Sequence, residues 1–202
     1  MIITSIDKLK QKVELATPEE GEEIGIKLLK ELRDSEIPGI GLAANQIGIN
    51  KRVCVINVKE PVVLINPKIV EKSKEKFVFL EGCLSFPDNN IKTIRHKWVK
   101  VHADNHKSTL FFSVWNENNE EGYNKEDKLN YALETACVQH EIDHLDGITM
   151  FDREYKSQPL IRKSDKIGRN EKVTIKKDSE SKTLKFKKAE KLLEDGWTLV
   201  EQ

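Results

Sequence analysis

Apolar residues at Ile24, Leu28 and Leu32 recur every four positions, the spacing of one buried stripe on a helix. Thr17, Pro18 and Glu20 write its start: a hydroxyl cap, a proline where no N–H is needed, and a glutamate that closes a capping box. The helix is expected to run to about Arg33, and Pro38-Gly39 ends the segment. A loop rich in glycine and small residues follows, GIGLAANQIGIN at 39–50. Alternation then predicts strands over 52–58 and 62–70, with a break at Glu60-Pro61 and a kink or edge position at Asn66-Pro67. Further strands are expected over 76–80, 91–101 and 109–115. NENNEEGYNKEDK, residues 116–128, has no apolar period and reads as a solvated loop.

The strongest helical pattern covers Leu129 to about Leu145. Leu133, Ala136, Cys137, His140 and His144 fall on one face at spacings of three and four, and Gly147 suits a C-terminal cap. Beyond Arg153 the character changes. KVTIKK (172–177) and KTLKFK (182–187) alternate on either side of Asp178-Ser179-Glu180-Ser181, which predicts a hairpin. A short helix over 188–195 ends at Gly196, and 197–200 reads as a last strand.

A chain of 202 residues suits one domain with an appendage. Lys+Arg and Asp+Glu both number 34, and a formal net charge of zero argues against whole-molecule attraction to nucleic acid or membrane. That neutrality is a cancellation. Residues 156–191 hold 13 Lys+Arg against 5 Asp+Glu, while the remainder carries 21 and 29. Three scattered cysteines, Cys54, Cys83 and Cys137, form no disulfide framework and fit a reducing compartment. With no long apolar run and no secretory or transit signal, the expectation is a cytoplasmic protein, with an organellar matrix as the alternative.

The sharpest chemical signal is HEIDH, His140–His144, on the strong helix. Residues four apart on a helix differ by about 40° in direction, so the two histidines project side by side and can share one metal. Glu141 lies on the flank of that face, within reach for proton transfer. Unliganded imidazoles would be a poor use of an otherwise apolar stripe. A catalytic metal site usually takes three protein ligands and keeps one position open. The residues alone leave the third ligand open among His96, His102, His106, Asp146, Asp152 and Cys83, while Cys54 and Cys137 read as packing.

GIGLAANQIG (39–48), EGCLS (81–85) and QHEIDHLDG (139–147), in that order, resemble the three signature motifs of peptide deformylases. LINPKIVEKS at 64–73 resembles the family's strand ahead of the cysteine motif, and the similarity covers residues 35–155. The resemblance implies an α+β fold of antiparallel sheets around a central helix bearing HEIDH, with the capped N-terminal helix packed outside. It assigns Cys83 as the third ligand beside His140 and His144. The implied metal is ferrous iron, with zinc, nickel or cobalt able to occupy the site; ligand type alone does not choose among them. The implied reaction removes the N-formyl group from the formylmethionyl end of a nascent polypeptide and releases formate. Glu141 then serves as general base and acid, while the Gln46 side-chain amide and the Leu84 backbone N–H receive the oxyanion. Gly41 lets substrate backbone approach, and Ile40 and Leu42 are expected contacts beside it. The helix around Cys137 and the loop around Phe86 are expected to supply the methionine pocket, and Arg95 to pair with acids such as Glu81.

Three features depart from the usual pattern: a longer, more polar stretch between Trp115 and Tyr131, Asp104-Asn105-His106-Lys107 in place of a glycine turn, and Asn90 near a position where many members carry arginine. Residues 1–155 are expected to form the deformylase domain and 156–202 a basic extension, a hairpin plus short helix, that is not an independent domain. The 156–191 stretch offers a ribosome contact through phosphate attraction, or else a plain solvated hairpin. No membrane and no sequence-specific nucleic-acid partner is expected. The competing readings are an HExxH zinc metallopeptidase, which would leave Cys83 and Gln46 without use, and a non-catalytic nascent-chain or ribosome-binding relative.

Overall fold

The helix start written at Thr17 is made. The computed structural model describes residues 2–114, 125–156 and 167–200. In it the Thr17 hydroxyl accepts from the Glu20 N–H, and the Glu20 carboxylate accepts from the Thr17 N–H. The helix spans Pro18–Arg33 (α2) and is preceded by a short helix, Ile6–Leu9 (α1), that the sequence pattern does not announce.

Gly41–Ala43 (β1), Val53–Asn57 (β2) and Pro61–Ile65 (β3) form an antiparallel sheet in the order β1-β2-β3. Alternate residues of β2 serve two cores. Val53 and Val55 pack with Leu28 and Leu32 of α2 and with Leu42 and Ile65. Cys54 and Ile56 pack with Ala43, Leu64 and the Val138–Ile142–Leu145 side of the third helix, Lys125–Leu145 (α3). Burial on both faces is why β2 reads as an unbroken apolar run.

Lys68–Lys72 (β4), Trp98–His102 (β7) and Leu110–Ser113 (β8) make a second antiparallel sheet, and Lys76–Cys83 (β5) pairs with Phe86–His96 (β6) in a hairpin. The single kinked strand expected over 62–70 is therefore two strands in different sheets. Asn66 turns the chain between them with φ 51°, and its amide is fixed by the Ala16 backbone and by Asp104. The 91–101 expectation likewise divides at Lys97. α3 begins at Lys125 rather than Leu129, because a polar first turn needs helix formers and no apolar period. The rest of the expected loop, 116–124, lies outside the described residues.

The chain divides into two compact units, Met1–Lys156 and Ser157–Gln202. In the second, Lys172–Lys177 (β9), Glu180–Lys185 (β10), Phe186–Glu194 (α4) and Thr198–Leu199 (β11) enclose a small core of Val173, Ile175, Ala189 and Trp197. Its strand order is β10-β9-β11. The hairpin turn is tighter than expected: only Asp178 and Ser179 connect the strands, and Asp178 takes φ 52° to fit. Helices with antiparallel sheets make the fold α+β. No helix among the described residues is long and apolar enough to cross a membrane.

Candidate metal centre

α3 presents His140 and His144 from successive turns, with their Nε2 atoms 3.1 Å apart. β5 ends at Cys83 and brings its sulfur to 3.3 Å from His144 Nε2. The three potential ligand atoms all lie within 4.8 Å of one another, the only such His/Cys/Asp/Glu group found among the described residues. His96 and His106 face backbone carbonyls of Ser73 and Val63 instead, and His102, Asp146 and Asp152 stand outside the group.

The ring of His140 is oriented from behind. Glu81 accepts from its Nδ1 at 2.9 Å, which leaves Nε2 facing Cys83 and His144. Arg95 grips both oxygens of Glu81, at 2.6 and 2.7 Å, as its expected role required. Its remaining nitrogen reaches Asp143, which also takes two hydrogen bonds from Arg153 at 3.0 and 2.8 Å. Burial alone would raise the Glu81 pKa, but the hydrogen bonds from Arg95 and His140 outweigh it and hold the pKa at about 2. Burial likewise opposes charge on His140, yet hydrogen bonds with Cys83 and Glu81 push its pKa up to about 10; burial first, then the His140 charge, keeps His144 far below the ordinary value. One thiol and two imidazoles converge at this point. That donor set fits a first-row divalent cation.

Glu141 lines the adjoining cavity, of about 270 Å³, with Gln46, Leu84, Ile40, Leu133 and Ala136 among its walls. Its Oε2 is buried without a hydrogen-bond partner among the described residues, and burial pushes its pKa up to about 7. Gln46 is fixed by its own turn: its Oε1 accepts from the Ala43 N–H at 2.9 Å, so Nε2 points to Ser85 and Cys83, at 3.1 and 3.5 Å. Leu84 follows Cys83 in the tight turn between β5 and β6.

One expected contact lies away from the cavity. Leu42 is fully buried with α2 and does not line the cavity, because strand alternation turns it away while Gly41 faces the site. The loop around Phe86 lines the cavity through Leu84 and Pro87, while the Phe86 ring itself packs against Leu9 and Met150. Gly41 lines the cavity and also has a packing reason: a Cβ there would stand 2.5 Å from both Cys137 Sγ and Glu141 Oε1. The sequence reading paired Glu81 with Arg95 but missed its hold on His140, and it missed Asp143 between two arginines. Their only signals were position, two residues before the cysteine and one before the second histidine.

The profile of the polypeptide deformylase family matches residues 4–160. The chain belongs to that family. It is 37% identical over 142 residues to the peptide deformylase of Rhizobium meliloti, covering 66% of this chain and 73% of that one. With the Natranaerobius thermophilus peptide deformylase it shares 44% over 133 residues, covering 63% and 74%. The solved peptide deformylase of Thermotoga maritima superposes with a TM-score of 0.61 at 30% identity, over 77% of this chain and 97% of that chain. A probable peptide deformylase from Synechococcus phage S-SSM7 gives 0.59 at 36%, over 76% and 98%. This deformylase is a hydrolase with a Cys/His/His group suited to the family's single metal ion. The family match stops at residue 160, so β9, β10, α4 and β11 lie beyond it.

Proposed function

We propose that Cys83, His140 and His144 hold the metal with which this enzyme removes the N-formyl group from nascent polypeptides, and that Glu141, Gln46 and the Leu84 N–H carry out the proton and charge handling. The observation that carries this reading is the convergence of one sulfur and two Nε2 atoms within 4.8 Å, beside the buried carboxylate of Glu141. When bound, a divalent cation polarises the formyl carbonyl and lowers the pKa of water. Glu141 takes a proton from water and returns it to the departing amine, from a buried position beside the three ligand groups. Gln46 Nε2, aimed by the Ala43 N–H, donates to the developing oxyanion together with Leu84. Gly41 and Ile40 border the entering peptide, and Leu133 and Ala136 offer apolar wall to the methionine side chain.

Iron is the metal we assign, by family resemblance. Glu141→Ala is expected to keep the metal and lose nearly all formate release from a formylmethionyl tripeptide. Anaerobically prepared, iron-loaded wild-type protein that releases no formate would sink the assignment.

For the second unit we infer a ribosome contact in the cytoplasm, where formylated chains emerge. Register places Lys172, Lys176 and Lys185 on one sheet face with Thr174, Ser181, Thr183 and Thr198, and no acid shares it. Such a face attracts phosphate in a salt-dependent way. Replacing the three lysines by glutamate should abolish co-sedimentation with ribosomes at low salt; unchanged co-sedimentation excludes this face.

A further inference from the structure

Asn45 stands one residue before Gln46 and takes no part in the chemistry above. Its side chain is nine-tenths buried. Nδ2 donates to the backbone carbonyl of His144 at 2.7 Å and, more weakly, to that of Leu9 at 3.4 Å. Oδ1 is buried with no hydrogen-bond partner among the described residues. An amide held in apolar surroundings with one end unsatisfied is a cost the fold would not carry for packing alone.

The bond joins two parts of the site that are far apart in sequence. Asn45 and Gln46 belong to the 3₁₀ turn Ala44–Ile47, and His144 lies in the last turn of α3, where its carbonyl also accepts from the Gly147 N–H at 3.1 Å. The neighbouring terminal carbonyl, that of Leu145, takes Arg52 at 3.2 Å. The turn has a second anchor, the Ile3 N–H donating to the Gln46 carbonyl at 2.7 Å. Gln46 is thereby fixed to the backbone of the residue whose ring faces Cys83. Loss of the bond removes this direct tie between the turn and the helix end.

We propose that Asn45 is a positioning residue that sets the distance between the oxyanion donor Gln46 and the metal ligand His144. The inference rests on the ligand and donor roles assigned above. Asn45→Leu keeps the bulk and removes both hydrogen bonds; Asn45→Asp keeps the shape but turns an acceptor toward two carbonyls.

The test uses the full chain loaded with cobalt(II), whose thiolate charge-transfer and d–d bands report ligand geometry. In Asn45→Leu the bands are expected to shift, and loss of cobalt to a chelator to speed up about 10- to 100-fold. kcat for a formylmethionyl tripeptide should fall by a similar factor with KM within about two-fold, and Asn45→Asp should be worse. A purely structural role would lower the melting temperature and leave bands, chelation rate and kcat at 25 °C unchanged, and that result overturns the inference. If the leucine variant does not fold, Asn45→Ala is read in the same way. Wild-type protein that binds no cobalt removes the ligand assignment and this inference together. Wild-type binding with unaltered variants removes only the role of Asn45.

Discussion

At Gly41 the missing side chain is the functional feature. The space a Cβ would fill is occupied by the Cys137 sulfur and the Glu141 carboxylate, each 2.5 Å away. Both are side-chain ends that can move, so alanine should be tolerated by the fold and resented by the site. Gly41→Ala is expected to displace the carboxylate and lower kcat by about 100-fold, the scale of an ångström misplacement, with little change in melting temperature. Adding Cys137→Ala relieves only the sulfur contact and should not restore the rate. Full activity in Gly41→Ala would show that Glu141 need not sit against that backbone. The glycine itself was visible in the sequence motif, but its reason was not. Sequence reading pointed to an approaching substrate; the structure adds a contact with α3, from residues 137 and 141.

At the scale of elements, α3 and the β5–β6 hairpin are coupled through a buried run of polar groups, His140, Glu81, Arg95 and Asp143, with the exposed Arg153 at its end. Removing one member strands the others. Arg95→Met should cost about 3–5 kcal/mol in chemical denaturation, because buried Glu81 loses its guanidinium and is left with His140, while Asp143 is left with Arg153. The acid response has a definite sign. The folded pKa of Glu81, about 2, lies below its ordinary value of 4.5. Its contribution is therefore present above about 4.5 and is lost as pH falls toward 2. In Arg95→Met this acid sensitivity should flatten, since a buried Glu81 without its guanidinium gains more from protonation. An unchanged slope between wild type and variant would exclude the Glu81–Arg95 pair as its source.

For the whole molecule, the opposite charges of the two halves follow the division into units. The family match covers the first and ends at residue 160, while the second keeps its own core around Trp197. Trp197→Ala removes the largest side chain of that core and should cost the second unit about 3–5 kcal/mol. Limited proteolysis should then cut within 167–200, with tripeptide deformylation unchanged. Loss of tripeptide activity would mean that the units depend on each other.

Local interactions were fixed by the sequence alone, and those are what it determined here: the capping box at Thr17, the side-by-side histidines of HEIDH, the hairpin of the basic segment, and three ordered motifs that name the family. Each depends on neighbours within a few residues, or on a pattern that can be counted. Only the tertiary structure decided that 62–70 is two strands, that Leu42 turns to α2 while Gly41 faces the site, that Glu81 orients His140, and that Asn45 joins His144 to the turn of Gln46. Those are contacts between distant segments, and burial on one face or the other is settled by what packs there.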